Sequence, residues 1–217
     1  MRRIVPELGA ARADGRGRGF PVSWGEPGTA IAEIVGPPRP ATDSIDMNTP
    51  ASPPADLSPR DLELLRMTIA LSEESKARGR HPFAALVANE HGEVVVTAGN
   101  NSMPPEGDPT QHAELVAAAQ AARLLAPEAL ARCTLYTSAE PCCMCAGAIY
   151  WTNIGRVVYA LSEHALLGLT GDHPENPTFS LPCREVFVRG QRQVEVVGPV
   201  LEDEAAAPHR GFWTHTP

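Results

Sequence analysis

From Ser58 onward the polar and apolar positions of the chain fall into regular periods. Leu62, Leu65 and Ile69 recur at helical spacing behind Ser58-Pro59, an N-cap followed by proline at the first helical position, and Gly79 suits the C-terminal cap. Residues 84–89 and 94–98 are short β-prone runs flanking Glu90-His91-Gly92, which predicts a hairpin. A polar loop over 99–107 leads to Asp108-Pro109-Thr110, the predicted cap of a helix that runs through His112, Glu114 and an alanine-rich stretch to about Leu125. Residues 134–138 form the next strand, and Pro141 opens a helix carrying Cys142, Cys145, Ala148 and Ile149. Strands over 156–160 and 194–197, a loop over 164–182 and a C-terminal helix or tail over 201–213 complete the pattern. Helix, hairpin, helix, strand, helix, strand predicts an α/β layered domain with a partly parallel sheet.

Residues 1–56 lack any such period. Ten of the 22 prolines lie between Pro6 and Pro59, and Gly15-Arg16-Gly17-Arg18-Gly19 is of low complexity. Such a segment buries too little apolar surface to offset its ordering entropy, so disorder is expected over 1–56 and a folded domain over 57–217. No apolar stretch of signal-peptide length follows the basic start, and Met47 is an alternative site for translation to begin.

Composition narrows the function classes. The 217 residues are 43% hydrophobic, which suffices for a core, and no run reaches the length of a membrane-spanning helix. Residues 1–46 carry six arginines and six acids, so the net charge of −8 belongs entirely to the remainder. An acidic domain disfavours nonspecific attraction to nucleic acid or to a membrane surface. The cysteines number five, an odd count, with three packed into Cys142-Cys143-x-Cys145. This is not the spacing of a secreted disulfide framework; it points to a reducing, cytoplasmic setting and a metal.

The chemistry-bearing residues are His112, Glu114, Cys142 and Cys145. Two cysteines three apart at a helix start can grip one ion as thiolates, helped by the local backbone dipoles. One imidazole added to them makes three ligands and leaves a tetrahedral position for water, the arrangement of a catalytic zinc site. Zn2+ lowers the pKa of such a water to about 7. Glu114, two residues beyond His112, can reach the open position and serve as general base and then general acid. Alone, His-x-Glu is weak and Cys-x-x-Cys is ambiguous between zinc and redox chemistry. Together, His112-x-Glu114 and Pro141-Cys142-x-x-Cys145 form the signature of zinc nucleobase deaminases.

Beyond that signature, His81-Pro82-Phe83-Ala84-Ala85, Gly99-Asn100-Asn101, residues 108–114 and residues 137–151 make the chain resemble the cytidine and deoxycytidylate deaminase superfamily, within the branch of guanine deaminases and tRNA adenosine deaminases. The resemblance covers residues 57 to 213. It implies a three-layer α/β/α sandwich with a mixed five-stranded sheet, a homodimer, and a base-binding role for Asn101, eleven residues before His112. Departures stand at Ala84, where Gly is common, Gln111, where Ala is common, and Cys143, where Pro or Val is common. Phe83, Trp151, Phe212 and Trp213 read as core aromatics, with stacking on a planar substrate as the functional alternative, the branch carrying an aromatic tail over its active site. Cys133 and Cys183 read as inert buried thiols, Cys143 as a small packing residue, and Glu140 as a helix cap.

Three functions compete. The first is hydrolytic deamination of a small purine-type nucleobase or nucleoside, guanine foremost, favoured by Ala148-Ile149-Tyr150-Trp151, the aromatic tail and the acidic domain. The second is tRNA adenosine-to-inosine editing. Ile154-Gly155-Arg156-Val157-Val158 resembles that group, but a single lysine, Lys76, and an acidic Glu202-Asp203-Glu204 disfavour a tRNA groove. The third is a non-catalytic zinc-stabilised binding domain, which has no use for Glu114. The loop over 164–182, with His164, Asp172, His173, Glu175 and Asn176, is expected to help line the pocket.

Overall fold

A computed structural model describes residues 57–214. The expectations for residues 1–56 and for Met47 lie outside these residues. Helix α1 (Pro59–Ala77) starts at Ser58, whose hydroxyl accepts from the Asp61 amide while the Asp61 carboxylate accepts from the Ser58 amide. This reciprocal cap satisfies donors that a helix start otherwise leaves bare. Strands β1 (Ala84–Ala88) and β2 (Val94–Gly99) pair antiparallel as the predicted hairpin. Helices α2 (Ala113–Leu124) and α3 (Pro127–Leu130) precede β3 (Thr134–Ala139). Helix α4 (Cys143–Trp151) then crosses to β4 (Arg156–Leu161), and α5 (Glu163–Thr170) and α6 (Cys183–Phe187) lead to β5 (Glu195–Val197). Helix α7 (Glu202–Ala206) and a 3-10 turn (Ala207–His209) follow.

The sheet order is β2-β1-β3-β4-β5. β1 runs antiparallel to both neighbours, whereas β3, β4 and β5 are mutually parallel and need the crossovers that the helices supply. Every residue of β1 is buried, because helices cover both faces of the sheet. On one face Ala117, Ala118, Ala121, Ile149 and Phe187 bring α2, α4 and α6 onto Leu135 and Val157. On the other, Leu64, Leu65, Leu166 and Ala205 bring α1, α5 and α7 onto Leu86, Tyr136 and Val158. The expected three-layer sandwich is therefore present.

Two boundaries differ from the sequence reading, and both matter for the site. α2 begins at Ala113 rather than at Asp108, because Asp108 closes a turn of its own, its side chain accepting from the Thr110 amide at 2.8 Å. The segment expected as a loop over 164–182 begins as helix α5, capped by the Ser162 hydroxyl, which accepts from the Ala165 amide at 3.2 Å. Ser162, Glu163 and the leucines that follow form a helix-start pattern. The short α3 and α6 carry no period long enough to read.

Candidate active site

The starts of α2 and α4 meet beyond the C-terminal end of β3. His112 is the N-cap of α2 and Cys142 that of α4, yet neither side chain makes a capping hydrogen bond. They face each other instead, Cys142 Sγ standing 3.6 Å from His112 Nδ1. Cys145 belongs to the first turn of α4 and is fully buried. One ligand atom from each of the three lies within 4.8 Å of the other two, a separation that one ion can span. A hydrogen bond from Cys145 and another from His112 pull the Cys142 thiol down to about 4, against its burial, and the proton-holding Cys145 thiol is pushed up in turn. The bond to Cys142 raises the His112 imidazole. Two soft sulfurs and one imidazole, one thiol already acidic, fit zinc, which these three residues could hold with a tetrahedral position left over.

Glu114 is 4% exposed, with Oε2 3.7 Å from Cys145 Sγ and Oε1 accepting from Thr137 Oγ1 at 3.1 Å. Burial raises its pKa, with the nearby Cys142 adding to the rise and His112 opposing it. A carboxylate so placed can hold a proton and release it.

His112, Glu114 and Cys142 line a cavity of about 530 Å³. His81, Phe83, Asn100 and Ser102 line it from the β1 and β2 side, Cys143 and Met144 from α4, and residues 174–179 from the segment after α5. Four glutamates line it, Glu114, Glu140, Glu163 and Glu175, and among the described residues no lysine or arginine does. Burial, reinforced by Cys142, Glu140 and Glu114, pushes Glu163 up to about 7. Glu140 does not cap α4. Its two oxygens accept from the Glu163 amide at 3.2 Å and the Cys183 amide at 3.0 Å, the first residues of α5 and α6. One carboxylate beside the cysteine ligands thus anchors both ends of the wall segment.

Of Phe83, Asn101, Trp151 and Trp213, only Phe83 lines the cavity, and of the loop candidates Glu175 and Asn176 do while His164, Asp172 and His173 do not. Asn101 lies outside it. The Asn100 amide continues the hairpin ladder by donating to the Phe83 carbonyl at 2.9 Å, so Asn100 faces the cavity and its successor the other way. There Asn101 accepts from Arg80 at 2.6 Å and donates to Gln111, the residue that replaces the common alanine. A Cβ at Gly107 would stand 1.7 Å from the Asn101 carbonyl oxygen, so glycine lets the loop fold back this tightly. Trp151 is 82% exposed at the end of α4, six residues or about 9 Å beyond Cys145, too far along the helix to reach the cavity. Trp213 is buried behind the wall rather than in it, 5.1 Å from the His81 ring and 6.1 Å from the Phe83 ring, its Nε1 donating to His209 Nδ1 at 3.2 Å. Asn100, Ser102, Glu163 and His81 are among the cavity residues that sequence reasoning did not assign. The tandem Asn100-Asn101 and the unusual Gln111 were the available signals.

Residues 58–161 match the model of the cytidine and deoxycytidylate deaminase zinc-binding region. The chain is 42% identical over 158 residues to a protein of Schizosaccharomyces pombe named "Probable cytosine deaminase", covering 73% of this chain and 95% of that one. It is 42% identical over 83 residues to guanine deaminase of Bacillus subtilis, 38% of this chain and 51% of the relative. Among solved structures, guanine deaminase from Nitrosomonas europaea superposes with a TM-score of 0.56 at 26% identity, over 77% of this chain and 94% of that one.

Proposed function

This chain belongs to the cytidine and deoxycytidylate deaminase zinc-binding family and is a hydrolytic deaminase of the nucleobase type; we propose that its substrate is a small uncharged base, guanine before the others. The observation that carries this reading is the charge of the cavity. Four glutamates and, among the described residues, no lysine or arginine line it, which leaves a phosphate no basic side chain to pair with outside the metal site and disfavours nucleotides and a tRNA backbone. Carboxylates accept hydrogen bonds, so they favour a ring edge that donates them. In guanine the amino-bearing carbon lies between a lone-pair nitrogen and an N–H. In cytosine and adenine it lies between a lone-pair nitrogen and a carbon. Guanine therefore offers one carboxylate a nitrogen to protonate and a second carboxylate a donor beside the reacting carbon.

Zinc held by His112, Cys142 and Cys145 would supply a water acidic enough to attack at neutral pH. Glu114 takes the proton released in the attack and delivers it to the lone-pair ring nitrogen; it then takes the second proton, from the hydroxyl now on the ring carbon, and gives it to the amino group, which leaves as ammonia. Glu175 accepts from the ring N–H, Phe83 covers a face of the base, and Asn100 offers its amide from the third side. Glu114 and Cys145 are both buried, which limits the access of bulk water to the proton path.

Cytosine is the second reading, favoured by the S. pombe relative, whose similarity spans most of both chains. Assays of ammonia release by the zinc-loaded full chain on guanine, cytosine, adenine, their nucleosides and an anticodon stem-loop separate the readings. Guanine turned over fastest supports the first, cytosine the second, and the stem-loop alone tRNA editing. Silence on every substrate leaves only a binding domain. The expected homodimer belongs to the same proposal: the exposed Trp151 on α4 gives a second copy an apolar anchor, and sedimentation of W151E tests it.

A further inference from the structure

We propose that His81 is a specificity-determining positioning residue: through its hydrogen bond to Glu175 it holds that carboxylate on the cavity and so sets which ring edge the pocket accepts. This rests on the reading of the chain as a nucleobase deaminase. Glu175 lies in residues 171–182, which contain neither helix nor strand, and its side chain is partly exposed. A carboxylate on such a segment samples many positions unless something holds it. The holder is His81 Nε2, 3.1 Å from Glu175 Oε2.

The imidazole is itself fixed on every side. His81 is 6% exposed and sits just before β1, its ring 5.1 Å from Trp213 and 6.0 Å edge-on to Phe212. Its Nδ1 lies 3.3 Å from Ser102 Oγ, which stands 2.7 Å from Asn100 Oδ1. Four cavity residues thereby form one chain of contacts, Glu175–His81–Ser102–Asn100. Burial lowers the His81 pKa, against the opposing pull of Glu175. With a proton on Nε2 the ring donates to Glu175 and leaves the carboxylate its charge. A charged acceptor favours guanine's N–H over the carbon that cytosine or adenine brings to the same place. The aromatic tail thus influences selectivity without touching substrate, by backing the residue that aims Glu175.

The test compares H81F, which keeps the ring and loses the donor, with H81Q, whose amide can still donate, alongside E175Q and the H81F/E175Q double variant, all zinc-loaded and full-length. In H81F the guanine-to-cytosine ratio of kcat/KM falls about tenfold or more, mainly through KM, with zinc stoichiometry kept. H81Q recovers most of that loss. E175Q loses as much as H81F, and the double variant loses no more than either, since the two residues act as one unit. Hydrogen exchange at the Asn176 amide, which donates to the His173 carbonyl at 2.9 Å, speeds up about tenfold in H81F and not in H81Q. Additive losses in the double variant, or unchanged exchange and selectivity in H81F, overturn the proposal. A wild-type protein that deaminates no base overturns the functional reading instead, and the exchange comparison still decides whether His81 clamps the wall.

Discussion

Glu114 and Glu163 are rival proton carriers, and exchanging each for glutamine tells them apart. Both line the cavity, and both are pushed upward by burial, Glu163 to about 7, the value a general acid at neutral pH would have. Geometry favours Glu114, which sits 3.7 Å from a ligand sulfur with its other oxygen held by Thr137, whereas Glu163 senses the ligand group through charge. Glutamine preserves the shape and the Thr137 contact and removes the exchangeable proton. Positioned acid–base catalysis is worth about 10²–10⁴-fold, or about 2.7–5.5 kcal/mol of barrier. At 4% exposure no bulk water can stand in for Glu114, which places E114Q toward the upper end, while E163Q should lose less than about tenfold. Ammonia release under saturating base, with zinc quantified in the same samples, reads both variants. E114Q should also melt higher, since burial of that carboxylate is a cost the amide avoids. An E114Q protein with full zinc that keeps a tenth of its turnover, or a larger loss in E163Q, would refute the assignment.

Three further outcomes are expected. H112A should bind zinc substoichiometrically and melt lower, because metal binding and folding are linked; metal analysis with a thermal scan checks both. N100A should lower kcat/KM for the preferred base more than N101A does, since only Asn100 reaches the cavity; equal effects would restore Asn101 as a base contact. D61N should destabilise the domain by about 2–4 kcal/mol in urea melts, because Asp61 caps α1 and accepts from Tyr136 and Arg156, each at 2.6 Å. Burial would raise the Asp61 carboxyl, but the bonds from Arg156, Tyr136 and Ser58 hold it well below the usual carboxylate range. Its contribution is therefore complete above the unfolded value near pH 4 and fades as pH falls below it, a slope that D61N should lack.

The layered fold and the metal-ligand set were legible before any coordinates. Helix caps, two-residue alternation and continuous apolar strands are local in origin, so Ser58-Pro59, the run at 84–88 and the leucines of α1 announce their elements unaided. The grouping of His112, Cys142 and Cys145 was equally legible, because coordination chemistry restricts residue type and spacing so tightly that few sequences meet it by accident. The substrate wall behaves otherwise. Whether Asn100 or Asn101 faces the base depends on how far the β1–β2 ladder extends and on Gln111 capturing its neighbour ten residues away. Glu140 reads as a cap for the helix beside it, yet its oxygens serve two helices that begin 23 and 43 residues later. His81 meets Glu175 across 94 residues of chain. Contacts between distant segments leave no period and no spacing in the primary structure. Metal chemistry is written in the order of the residues, and base selection in how the folded chain brings its loops together.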